Sequence, residues 1–288
     1  MKRCAQMVTV LAVAATLLMT AGCNKLKARD QLNKGVKAYR NANYEEAIEK
    51  FKNAVEFDPD LKVAKLYLAT AYAQQYVPGV GDPANVRMAQ QAIDEYQKVL
   101  ESDPKSVNSL KGIAFLYMQM KDFAKSRDYY KKAIEVDPDD PEIYYSVGVI
   151  DWTQAYKDAA DLKSANGMKV DDELKSKASQ KWCDQLKAKD EGAVDEGMKM
   201  LQTAIEKRQD YDDAMAYMNL LYRRKANDMT CDDAQARADY IKTANEWSDK
   251  AMAARKKKAE EAAKKNQCGI VLEPQNQSQQ GGQPPSQK

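Results

Sequence analysis

With 288 residues, 44% of them apolar and 31% charged, the chain is long enough to bury a sizeable core, and its few Gly and Pro (12 and 9) favour helix. Lys and Arg number 45 against 43 Asp and Glu, so no net basic field marks a nucleic-acid partner. Histidine is absent, which excludes the usual His-dependent triads and His-ligated metal sites.

In chain order, residues 1–22 read as a leader. Lys2 and Arg3 are basic, Met7 to Met19 form an apolar run, and small residues Thr20-Ala21-Gly22 precede Cys23. A bilayer span needs roughly 17–25 apolar residues, and this run is shorter. Without Lys2 and Arg3 the rest of the chain balances 43 basic against 43 acidic residues. Thr20-Ala21-Gly22-Cys23 resembles the lipobox of bacterial lipoproteins, with Thr20 departing from the commoner Leu. That resemblance implies cleavage before Cys23, acyl chains (diacylglycerol and palmitate) on its thiol, and a short anchor segment at 23–27. Asn24 leans the reading towards an outer membrane facing the periplasm. An ordinary signal peptide and a retained signal anchor are the alternatives.

A repeat organises the remainder. Ala47, Phe51, Ala54 and Pro59 follow the pattern A-x3-F-x2-A-x4-P. The spacing returns at Ala92, Tyr96, Val99 and Pro104, and again at Ser126, Tyr130, Ala133 and Pro138. Degenerate copies are Gly197, Leu201, Ala204, Gln209 and Ala244, Ser248, Ala251. Upstream lies a small residue with Tyr three positions on in three copies, Ala69 with Tyr72, Ala114 with Tyr117 and Asn219 with Tyr222, while Gly35 pairs with Ala38 and Gly148 with Asp151. Small residues let two antiparallel helices approach, the ring fills the space between them, and proline ends the second helix. The pattern resembles the tetratricopeptide repeat family. It implies an all-α solenoid over 28–265, with units at about 28–61, 62–106, 107–140, 141–211 and 212–254. A capping helix follows, and 266–288, rich in Gln, Gly, Pro and Ser, reads as a disordered tail.

Units two, four and five carry insertions of 11, 37 and 13 residues relative to units one and three, always between their two helices. They are expected to project from one edge. The longest reads as helical from about Glu173 to Lys189. In the capping helix, the basic run from Arg255 reads as a solvated helix end rather than a lipid-binding patch.

Candidate chemistry is sparse. No Gly-x4-Gly-Lys phosphate loop occurs. The acidic pairs Asp139-Asp140, Asp171-Asp172, Asp212-Asp213 and Asp232-Asp233 read as helix caps, with metal binding as the alternative. No cofactor, metal or catalytic residue is expected. Cys183 and Cys231 lie in the insertions of adjacent units, which a solenoid places side by side, so they are candidates for a disulfide in an exported protein. Cys268 is left over, or exchanges for either.

In the family resembled here, the first helix of every unit lines a concave groove. Carried over, that stripe is Leu32, Val36, Tyr39, Leu66, Thr70, Lys111, Phe115, Met118, Tyr145, Val149, Trp152, Leu220, Arg223 and Arg224. It suits an apolar peptide or amphipathic helix; the competing reading has the 37-residue insertion filling the groove. The resemblances together imply a non-enzymatic envelope scaffold for a protein partner, with outer-membrane assembly, secretion or envelope maintenance as its expected setting. A self-associating, homo-oligomeric structural protein is the alternative, and a carboxylate-dependent hydrolase a remote one.

Overall fold

A computed structural model describes residues 23–267; the 1–22 leader, Cys268 and the remainder of the tail lie outside them. Ten helices are described: α1 (residues 23–40), α2 (Tyr44–Phe57), α3 (Lys62–Gln75), α4 (Pro83–Ser102), α5 (Val107–Gln119), α6 (Phe123–Val136), α7 (Pro141–Ser164), α8 (Gln180–Lys207), α9 (Asp212–Asp228) and α10 (Ala234–Gln267). Consecutive helices pack as five antiparallel hairpins in a row. Short polar side chains start several of them: Asn43, Asp82, Asp122 and Asp140 each accept a hydrogen bond from a backbone N–H in the first turn of α2, α4, α6 and α7.

The small residues of the repeat sit where one helix presses on the next. A Cβ on Gly35 would lie 2.5 Å from the Phe51 ring, and one on Gly148 2.5 Å from Leu201. Ala47, Ala54, Ala69, Ala92, Ala114 and Ala133 have no exposed surface, so the helix axes close to a distance larger residues would forbid. Buried side chains from α1 to α5 form one apolar cluster around Phe51, Tyr72 and Tyr96, which passes to a second around Tyr130, Ile143 and Val147. Along the row, α3 touches α5 and α7 touches α9, whereas the even-numbered α6 and α8 meet through side chains such as Lys131 with Glu196 at 3.0 Å. The odd-numbered helices therefore line the inner side of the curve.

Three expectations change. Helix α1 already includes Cys23, so no separate segment at 23–27 precedes it. Helix α10 runs unbroken to Gln267, because nothing between Ala234 and Gln267 is Gly or Pro; the capping helix is its continuation, and residues 266–267 are helix rather than tail. Its Arg255 and Lys258 reach back to the start of α9, each within 2.7 Å of Asp212. The longest insertion lengthens α7 and α8 to 24 and 28 residues, and the helix expected from Glu173 begins only at Gln180.

The turn between α7 and α8 is pinned to the end of α9 rather than laid along the inner side. Leu174 N–H donates to the Asn227 carbonyl at 3.0 Å. Lys163, 1% exposed, donates to the carbonyls of Val170 (2.8 Å) and Asp172 (2.7 Å) and to the Asp228 carboxylate. Arg224 completes the network with Asp228 (3.1 Å) and Asp171 (2.8 Å). Burial pulls Lys163 below the usual lysine range and pushes Asp228 above the usual carboxylate range, each opposed by the other's charge. Beside it a disulfide joins Cys183 of α8 to Cys231 in the α9–α10 turn. Between α6, α7 and α8, Asp151 is fully buried with Arg127 at 2.9 Å; burial outweighs that partner and pushes its carboxyl up to about 7.

Gly148→Ala should destabilise the chain by about 1–3 kcal/mol through the clash with Leu201. Gly192→Ala, on α8 where a Cβ would meet nothing within 4 Å, should stabilise it by about 0.5–1 kcal/mol; urea unfolding reads both. Replacing Cys183 and Cys231 by Ala frees a loop of sequence separation 48 and should cost up to about 4 kcal/mol on the chain-entropy estimate, seen as a lower melting temperature. The folded chain keeps the Asp151 proton up to about pH 7, whereas the reference carboxyl releases it near 3.8. Stability should therefore fall across that window as pH rises, by about 4 kcal/mol. Asp190, likewise raised to about 7 by burial, adds to the slope, and Asp151→Asn should flatten it in a pH series of urea titrations.

Candidate partner-binding face

The inner side is built from the exposed flank of each odd-numbered helix. On α1 and α3, Leu32, Val36, Tyr39 and Leu66 are half-buried and pack against the first apolar cluster, leaving their edges outward. Burial, together with the neighbouring Tyr44 and Tyr96 hydroxyls, pushes the Tyr39 phenol up to about 12, so it stays a neutral hydrogen-bonding ring. Thr70 is engaged internally, with its hydroxyl on the Leu66 carbonyl (2.8 Å) and the Tyr96 hydroxyl (3.1 Å). On α5, Lys111 is tied to the Asp140 cap of the next hairpin at 2.7 Å, Met118 packs inward, and Phe115 stands 37% exposed.

The fourth and fifth hairpins concentrate the aromatic surface. Tyr217 of α9 meets Tyr145 and Trp152 of α7 edge-on, with ring centroids 5.6 and 5.3 Å apart. Tyr156 continues the row at 5.1 Å from Trp152, and Tyr211 closes it at 5.0 Å from Tyr145. These rings are held from below. Tyr211 donates its hydroxyl to Glu142 at 2.6 Å, and Arg208 both pairs with Glu142 (2.6 Å) and lies 4.4 Å over the Tyr211 ring. Burial pushes the Tyr145 phenol far above the usual range and raises that of Tyr217, so both present uncharged rings. Alternating edge and face contacts make a preformed apolar wall with hydroxyl rims, chemistry that suits an extended apolar segment or the apolar side of a helix.

Among the remaining stripe residues, Val149 and Leu220 are half-buried beside the wall. Arg223 is held by Asn219 and Asn245, each at 2.9 Å. Arg224 does not line the face: it is 4% exposed and committed to Asp171 and Asp228, because the pinned turn brings two carboxylates over it. Tyr156 and Tyr217 were missed from sequence, although Tyr156 follows Trp152 by one helical turn and so shares its side. The turn of the long insertion is fixed at the α9 terminus, where Arg224, held by Asp171, lies 5.6 Å over the Tyr156 ring at one end of this wall.

The acidic pairs divide between the expected helix caps and long-range ion pairs. Asp140 and Asp233 accept N–H groups opening α7 and α10, Asp172 accepts the Lys169 N–H, and Asp212 and Asp213 hold Arg255. Among the described residues, no group of three or more Cys, Asp and Glu is placed to hold a metal ion, and no helix is long and apolar enough to cross a membrane.

Residues 107–140, the α5–α6 hairpin and its closing turn, match the tetratricopeptide repeat family. A curated relative, the DnaJ homolog subfamily C member 7 homolog of Schizosaccharomyces pombe, is 27% identical over an alignment of 132 residues, gaps included, that covers 36% of this chain and 28% of that protein. The chain thus aligns with little more than a quarter of that relative. Among solved structures, a MamA protein superposes with a TM-score of 0.52 at 15% identity, covering 81% of this chain and 94% of that one. MamA from Desulfovibrio magneticus RS-1, from residue 41 onward, gives a TM-score of 0.52 at 15% identity, covering 80% and 96%. At such identity the likeness establishes the fold. Five stacked hairpins, one of them a clear tetratricopeptide repeat, make this chain an all-α solenoid of the tetratricopeptide type, a scaffold suited to protein–protein interaction.

Proposed function

We propose that this chain is an exported bacterial lipoprotein, anchored through acylated Cys23 in the cell envelope, whose solenoid holds an apolar segment of a partner protein and catalyses no reaction itself. The observation that carries the scaffold reading is the ring wall Tyr145–Tyr217–Trp152–Tyr156, partly open and preformed on the inner side. Aromatic rings with few rotatable bonds make strong contacts at small ordering cost. Export is supported by the leader pattern ending at Cys23 and by the Cys183–Cys231 disulfide, a bond that persists in oxidising compartments. Cys23 is exposed at the first turn of α1, accessible to an acyl chain, and two or more such chains give stable attachment. Asn24 favours the periplasmic side of the outer membrane, where the scaffold would serve assembly, secretion or envelope upkeep.

Mild crosslinking in intact cells followed by mass analysis tests the scaffold role: a foreign protein joined to the solenoid is expected, and products containing only this chain would make it self-associating. Phe115→Glu with Trp152→Glu should reduce capture at least about tenfold, the loss of one or two anchoring contacts, in a variant whose helical circular dichroism is unchanged. Full capture by that folded variant would move binding off the inner side. Intact-mass analysis should find Cys23 as the acylated N-terminus; an unmodified thiol there would remove the anchor.

A further inference from the structure

The first helix of a solenoid has one side without a preceding hairpin, and on this chain that side is conspicuously charged. Helix α1 carries Lys25, Lys27, Arg29, Lys34, Lys37 and Arg40 against the single acid Asp30, although the chain as a whole is close to neutral. All six cations are exposed. At about 3.6 residues per turn, Leu26, Arg29, Asn33, Lys37 and Arg40 form one stripe, and Cys23, Lys27, Asp30 and Lys34 form its neighbour. Ala28, Leu32, Gly35 and Tyr39 lie on the opposite side, turned into the first hairpin. Only Lys34 is ion-paired among the described residues, with Asp30 at 2.7 Å, and Lys27 sits 5.6 Å above the Phe57 ring. Leu26 is 69% exposed in the middle of this surface, the most exposed large apolar residue described.

The other basic run differs. Arg255 and Lys258 of α10 are drawn to Asp212 and Asp213, and Glu260 and Glu261 follow within a turn. Helix α1 alone combines unpaired cations, an outward Leu and the exposed cysteine on one surface.

We propose that the outward side of α1 lies flat on an anionic phospholipid bilayer, its Lys and Arg on the lipid phosphates and Leu26 pressed into the headgroup layer. This rests on the anchored reading and adds an orientation to it. A helix of 18 residues is about 27 Å long, enough to set four or five cations on the lipid surface at once. Cations near an anionic leaflet each gain favourable energy that falls off within a Debye length. Lying this way, α1 fixes which side of the solenoid meets lipid and leaves the aromatic wall of the fourth and fifth hairpins away from the first point of contact.

The test is amine footprinting of the full chain reconstituted into two kinds of vesicle, phosphatidylcholine alone and phosphatidylcholine with an equal part of phosphatidylglycerol. Acylation of Lys27, Lys34 and Lys37 by a water-soluble amine reagent should slow on the order of fivefold in the anionic vesicles, while exposed Lys187 and Lys242 are labelled equally in both. High salt should abolish the difference, and Arg29→Glu with Arg40→Glu should reduce it at Lys37. Chain that floats with both vesicles yet shows equal labelling of α1 lysines would overturn the inference and leave anchoring intact. Chain that floats with neither would overturn the anchor, and the orientation with it. Protection that is equal in both vesicles would assign the contact to the tether alone, and protection that persists in high salt or without lipid would assign it to contacts within the chain or between its copies; either would overturn the proposal.

Discussion

Everything in this solenoid depends on how closely two antiparallel helices are allowed to approach. At Gly35 and Gly148 the neighbouring Phe51 and Leu201 occupy the volume a Cβ would need, so each small residue is one half of a contact whose other half is a large one. A single hairpin built this way leaves its rings and aliphatic chains half uncovered, and only the next hairpin completes the burial. Stability therefore accrues by stacking, and the apolar clusters overlap from one hairpin to the next.

The fourth and fifth hairpins depart from this economy of small and large residues. Lengthening α7 and α8 carries Lys163 and Asp190 into the interior, and α9 supplies Arg224 and Asp228. Buried charges of this kind stabilise poorly against apolar alternatives, but they tolerate few arrangements. Their role is to define where the long turn sits: Lys163 must reach two carbonyls and one carboxylate together, and the disulfide then closes beside it.

How much of this was legible depended on range in sequence. The Ala and aromatic spacing of the hairpin at 107–140 encodes contacts within one unit, and it reads directly. The pairing of Cys183 with Cys231 followed from placing adjacent insertions side by side. Arg224 was misassigned to the inner side because its partners Asp171 and Asp228 reach it through a turn whose course no local pattern fixes. Helix ends failed where nothing stops a helix: Cys23 to Lys34 and Ala234 to Gln267 contain no Gly or Pro, so α1 starts and α10 ends beyond the limits of the repeat motif. At Glu173 the opposite happened, since the turn's hydrogen bonds to α9 hold those residues out of helix.

The asymmetry of the row has a mechanical consequence. Helices α3 and α5, and α7 and α9, touch along the inner side, so the row resembles a fan whose ribs meet at their inside edge. A covalent weld and a salt-locked turn clamp the last two ribs of that fan; among the described residues the first three have no such fastening. Tension or torsion applied along the superhelix would be absorbed by the N-terminal ribs, and the C-terminal pair would move as one stiff block.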